Sequence, residues 1–161
     1  MKVSHLVPKT LFSEGYEGES CDGNLVYCGP YEAAVRFTPE RIGVYTGGMI
    51  VKAEIYIKGS ATNGALTIYD AGSVDEPGKV LYHKAVCDLK ADDWNEIAVD
   101  PPLKISGQDF WIGFYIENAN IGFYKGPGGA EGTWSNITGY GWSNDPHRGN
   151  WQIRAIFAVE E

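Results

Sequence analysis

The sequence predicts an all-β fold, an antiparallel β-sandwich of jelly-roll-like form. Three observations predict it. Several segments alternate apolar and polar residues with a period of two, the signature of half-buried strands. The 161 residues hold 21 Gly and 8 Pro beside an aromatic share of 13%, a balance that favours short strands and tight turns. No amphipathic helix of useful length occurs, so the layers that cover one another must be sheets.

Taken in chain order, residues 1–32 read as an irregular N-terminal segment packed on the domain, and residues 33–161 as the sandwich. Gly15, Gly18, Gly23 and Gly29, with Pro8 and Pro30, break any long element before the first clear strand, Ala33 to Phe37. Thr38 to Ile42 reads as a short helical turn, with Thr38 as its cap and Pro39 at its first position. Met49 to Lys58 alternates, which places Val51, Ala53, Ile55 and Ile57 on the inner face. Ala65 to Asp70 repeats the pattern with Leu66 and Ile68 inward. Val80 to Cys87 is the next strand, and Cys87 at its end is expected as a buried thiol. Trp94 to Val99 follows and is stopped by Pro101 and Pro102. Phe110 to Ile116 is apolar on both faces and so belongs at the centre of a sheet. Asn150 to Val159 closes the domain with Trp151, Ile153, Ala155, Phe157 and Val159 facing one way.

The formal net charge of −8 sets phosphate backbones and anionic membranes aside as partners. No stretch approaches membrane-spanning length, and residues 1–10 hold no signal-peptide core. The three cysteines show no Cys-x-x-Cys spacing; Cys21 and Cys28 bracket a turn, and spacing alone leaves open whether they pair.

The segments Ala34-Val35-Arg36-Phe37-Thr38-Pro39, Tyr45-Thr46-Gly47-Gly48 and Ile55-Tyr56 resemble accessory β-sandwich domains of Bacteroidetes-type secreted proteins. Ile68-Tyr69-Asp70, Pro77-Gly78, Asp93-Trp94-Asn95-Glu96, Phe110-Trp111-Ile112-Gly113 and Asn150-Trp151-Gln152-Ile153-Arg154-Ala155 continue the resemblance in order, over roughly residues 33–158. It implies an extracellular or cell-surface location and a non-catalytic, adhesin-like or substrate-binding accessory role. It also implies a domain excised, without its signal peptide, from a longer parent. It carries no catalytic residue set.

The residues themselves point away from catalysis. His5, His83 and His147 stand at no metal-binding spacing, and His83 reads as a solvated strand histidine. No Gly-x-Ser-x-Gly elbow occurs, and the adjacent acid pairs lie on turns or at the terminus. No cofactor is expected. A structural calcium is considered because Asp70, Asp75, Asp92, Asp93 and Asp109 lie near strand ends, but no Asp-x-Asp-x-Asp-Gly loop assigns its ligands.

The binding candidates cluster in residues 124–151. Tyr124, Trp134, Tyr140 and Trp142 offer flat rings to sugar C–H faces or to a protein, and Asn136, Asn144, Asp145 and Arg148 offer polar contacts. Trp94, Trp111 and Trp151 read instead as core. The expected partner is a glycan or a protein at the cell surface. An exposed coplanar aromatic pair over a groove favours sugar; a flat apolar patch favours protein.

Overall fold

The computed structural model describes residues 19–20, 30–61, 63–117, 119–125, 132–137, 140–144 and 150–159. Its elements in chain order begin with β1 (Glu19–Ser20), β2 (Tyr31–Phe37), the single turn α1 (Pro39–Ile42), β3 (Met49–Lys58), β4 (Asn63–Tyr69), β5 (Val80–Cys87) and β6 (Asp93–Lys104). They continue with β7 (Phe110–Ile116), β8 (Asn120–Ile121), β9 (Phe123–Lys125), β10 (Trp134–Ile137), β11 (Gly141–Asn144), β12 (Asn150–Trp151) and β13 (Ile153–Ala158). Two antiparallel sheets pack face to face, so the protein is an all-β sandwich. One sheet runs β11-β10-β2-β7-β4-β5; the other runs β13-β3-β6, with β8 also paired to β3. The chain changes sheet between β2 and β3, β3 and β4, β5 and β6, and β6 and β7. That crossing path, with β2-β7-β4-β5 laid over β13-β3-β6, is a jelly-roll order. A small third sheet joins β1, β9 and β12. No helix among the described residues is long and apolar enough to cross a membrane.

The core lies between the two large sheets. Ala33, Val35 and Phe37 of β2, Leu66 and Ile68 of β4, and Ile112, Phe114 and Ile116 of β7 face Ile50, Ala53, Ile55 and Ile57 of β3. Ile153, Ala155 and Phe157 of β13 complete that layer. Phe37 stacks on Phe110 at 4.9 Å and Tyr45 on Phe157 at 5.1 Å. β7 is buried on both faces and sits between β2 and β4, the central place its continuous apolar run requires.

The structure departs from the sequence expectations at several points. The first strand of the sandwich begins at Tyr31, two residues ahead of Ala33, because Tyr31 and Glu32 pair with Ile116 and Tyr115. Thr38 stands at the cap position of α1, but its side chain makes no capping bond; its carbonyl accepts from the Arg41 and Ile42 amides instead. Val51 is not in the buried row. The register of β3 shifts between Ile50 and Lys52, so Ile50 takes the inner position and Val51 is left in the bulge. Opposite that bulge, Val99 to Pro102 form an excursion within β6, with a cis Asp100–Pro101 peptide. The prolines therefore bend an edge strand rather than end it.

Cys87 is exposed and free, not buried. It ends β5, an edge strand on which only Tyr82, Val86 and no other side chain are even half-buried. Trp94 is half-buried on the outside of the smaller sheet, edge-on to Tyr56 and beneath the Arg154 guanidinium at 3.8 Å from its ring centre. Trp151 is core, as expected, and its Nε1 donates to the Trp134 carbonyl. Cys21 and Cys28 lie outside the described residues.

Candidate ligand-binding face

Strand alternation gives the six-stranded sheet an outer face. Register places Trp142, Asn136, Glu32, Tyr115 and Ala65 in one row across β11, β10, β2, β7 and β4. The next row holds Asn144, Trp134, Ala34, Gly113 and Thr67, and a third holds Arg36, Trp111 and Tyr69. An aromatic cluster separate from the main core grows on this face: Ala34, Trp111 and Trp134 are buried, with Tyr69 and Trp142 packed against them. Trp111 meets Trp134 edge-on at 5.1 Å and lies 6.4 Å from Trp142, which in turn meets Tyr69 edge-on at 6.1 Å.

Those contacts define the shape of the face. β11 and β4 are four places apart in the sheet, about 19 Å in a flat sheet by strand spacing. The Trp142 and Tyr69 rings nonetheless meet, so the face is closer-set than a flat sheet would make it. The underside is equally fixed. Trp111 donates its Nε1–H to the Ala71 carbonyl at 3.0 Å, and the Arg36 guanidinium lies 5.8 Å from its ring centre. Arg36 is itself held by Asp109, whose Oδ2 accepts from both Nε and Nη2. Beside this ion pair an open groove of about 360 Å³ runs along Pro39, Ala71, Gly72, Ser73 and Val74.

Glu32 is the polar centre of the face. Tyr69 donates its hydroxyl to both carboxylate oxygens, at 2.7 and 3.0 Å. The two side chains meet over Gly113, where an added Cβ would stand 2.2 Å from Glu32 Oε1 and 3.2 Å from the Tyr69 ring. A glycine in a central strand is therefore the vacancy that lets a carboxylate lie flat on the sheet. Burial raises the Glu32 pKa, and the Tyr69 hydrogen bond opposes that rise in part. Burial also raises the Tyr69 pKa, assisted by the negative charge of Glu32, so the phenol keeps its proton and stays a donor. Trp134 Nε1 is buried in the same cluster and has no hydrogen-bond partner among the described residues.

The structure treats the sequence candidates unequally. Trp134, Trp142, Asn144 and Asn136 come together on this face. Trp134, however, is only 6% exposed and forms part of the floor, so it cannot stack on a ligand. Asn144 is half-buried and accepts from Thr133 Oγ1. Tyr140 is 87% exposed at the turn between β10 and β11, bounded by the hydrogen bond from its amide to the Ile137 carbonyl. Tyr124 lies apart, in β9 of the three-stranded sheet, paired with Asn150 and Ser20. Arg148 and Asp145 lie outside the described residues. Trp111, expected in the core, is fully buried but on the outer side of its sheet.

Sequence reasoning missed Glu32, Tyr69, Tyr115 and Arg36. The signal was present in part: in Tyr31–Phe37, Glu32 and Arg36 stand opposite in parity to Tyr31, Ala33, Val35 and Phe37, which marks a second, polar face. Four of the five aspartates considered for calcium serve local roles: Asp70 Oδ1 accepts from the Ala71 amide, Asp92 Oδ1 from Gly59, Asp93 Oδ1 from Trp94, and Asp109 binds Arg36, while Asp75 is exposed in the loop before β5. Among the described residues no group of three or more His, Cys, Asp or Glu stands together. His83 is exposed, with Nδ1 2.9 Å from Thr67 Oγ1.

Fold and face together define a jelly-roll-like sandwich with an aromatic, acid-centred outer surface. Comparison with protein-family models, with curated proteins and with solved structures finds no match to the chain.

Proposed function

We propose that this chain is a non-catalytic recognition domain that binds a glycan on the outer face of its six-stranded sheet. The observation that carries the reading is the row Trp142, Asn136, Glu32 and Tyr115, which sets rings, an amide and a carboxylate side by side on one rigid surface. Sugars require that mixture: flat rings for their C–H faces, and acceptors and donors for hydroxyls. The adjoining groove extends the surface past the Arg36–Asp109 pair.

Two observations weigh against the other readings. The exposed large apolar side chains among the described residues are Val74, Val80, Leu81 and Tyr140, on three separate stretches of chain. That is not the contiguous apolar centre on which a stable protein interface is built. Burial and the Tyr69 hydrogen bond are the causes of the Glu32 shift among the described residues, with no second carboxylate beside it there, whereas a glycosidase needs two carboxyl groups acting across one bond. The wider setting belongs to the same proposal: an accessory module of a longer secreted or cell-surface protein, as the resemblance to Bacteroidetes-type domains implies.

The test is a glycan array followed by titration of the best binders against tryptophan fluorescence. Trp142→Ala is expected to weaken the best ligand about tenfold or more, the scale of one lost aromatic contact. An array without binders, or full affinity in the Trp142 variant, overturns the reading.

A further inference from the structure

Among the described residues Glu32 has no counter-ion. Two other half-buried acids do have one: Asp109 holds Arg36, and Glu54 lies 3.7 Å from Arg154. Among the described residues Glu32 receives only the Tyr69 hydroxyl, although an ionised carboxylate can accept about four hydrogen bonds. Arg36, on the same face, is already neutralised by Asp109 and does not compete for it. The carboxylate itself lies over Gly113, beside the Tyr69 ring, so it is held on the surface of the sheet rather than beneath it.

Resting on the glycan reading above, we propose that the ligand is cationic: an oligosaccharide of N-unsubstituted hexosamine whose ammonium group docks on Glu32. A neutral hydroxyl offers a donor but no charge, and a desolvated carboxylate is stabilised most by a partner that brings both. An ammonium brings three N–H donors and a full positive charge. Tyr69, bonded to Glu32, and Trp142, edge-on to Tyr69, line the approach with rings that attract a cation. The net charge of −8 draws such a ligand in and repels acidic glycans.

The experiment uses the full chain and two probes, a glucosamine tetramer and its fully N-acetylated counterpart, titrated by calorimetry in about 150 mM salt to suppress diffuse attraction. The unsubstituted tetramer is expected to bind about tenfold or more tightly than the acetylated one. Glu32→Gln keeps the shape and an acceptor for Tyr69, so its circular dichroism is expected to be unchanged while the preference for the free amine disappears. Equal affinity for the two tetramers, or a Glu32→Gln variant that keeps the preference, overturns the cationic ligand and leaves glycan binding standing. Failure of both tetramers while the array yields another ligand overturns it in the same way. Failure of every glycan overturns both proposals.

Discussion

Glu32 couples the fold to pH in a direction opposite to most carboxylates. Acids in ion pairs have lowered pKa values and stabilise the folded state once ionised. Glu32 is half-buried with no cation beside it among the described residues, and its pKa is raised. The folded protein therefore holds the Glu32 proton more tightly than the unfolded chain does. From linkage, this group's contribution to stability is largest below its unfolded pKa and falls as pH rises through its folded pKa. Above that range the penalty is constant. Glu32→Gln removes the charge and retains the acceptor, so the variant is expected to be more stable than the parent at neutral pH. The difference is expected to shrink as pH falls towards the ordinary glutamate range. Urea midpoints measured across that range check it; a gap that stays constant with pH would show that the charge is not the cause. The same strain is what a bound cation would relieve, so stability and recognition are linked at one side chain.

At the scale of elements, the edge strand β5 shows both a hazard and its management. Its sequence VLYHKAVC is rich in β-formers, and Lys84 is its one residue with a permanent charge. Register puts Lys84 in the row of Leu66 and Phe114, on the inner face, where Nζ reaches the Ala98 carbonyl of β6 at 3.3 Å. Beside it the Tyr82 hydroxyl accepts from the Asp100 amide of β6 at 3.3 Å. An inward charge on an edge strand discourages a second copy from adding to the sheet, and here it also bonds a carbonyl of the facing edge strand. Lys84→Val is therefore expected to cost about 1 kcal/mol or less in stability, as a partly exposed bond does, yet to raise self-association. Light scattering at matched concentration reads this out, and a monomeric variant would refute it. β5 also marks where the sequence ceased to be legible. Its bounds, like those of β7, follow from composition and flanking turns. Its exposure does not, because an apolar run cannot say whether another sheet lies over it, and so Cys87 was misplaced. Val51 was misplaced for a related reason: its bulge answers the detour of Val99 to Pro102 on a neighbouring strand. The face was legible in pieces. Trp142 and Asn136 belong to it, but their meeting with Glu32 and Tyr69 depends on the order β11-β10-β2-β7-β4, which joins residues more than a hundred positions apart.

The whole molecule is organised around β7, the strand on which its two aromatic layers rest. Phe110, Ile112, Phe114 and Ile116 point into the main core, and Trp111 points into the outer cluster. A lesion in either layer therefore loosens the support of the other. Phe114 is fully buried, and its ring also lies against the backbone of Gly64, where an added Cβ would come within 2.5 Å of it. No side chain at Gly64 can fill the space if the ring is removed. Phe114→Ala is accordingly expected to cost about 3–5 kcal/mol, the range for a phenylalanine cavity that does not collapse. Against a typical total of about 5–15 kcal/mol, that is a large fraction, so the variant folds with a much lower urea midpoint. Because the layers share one strand, the loss belongs to the molecule and not to one sheet. Tryptophan fluorescence is weighted to the outer cluster through Trp111, Trp134 and Trp142, while far-ultraviolet circular dichroism follows both sheets. The two signals are expected to move together to the lower midpoint with an unchanged slope, as one cooperative unit requires. Separate transitions would mean that the ligand-binding face unfolds independently of the core, and that Glu32 is positioned by the outer layer alone.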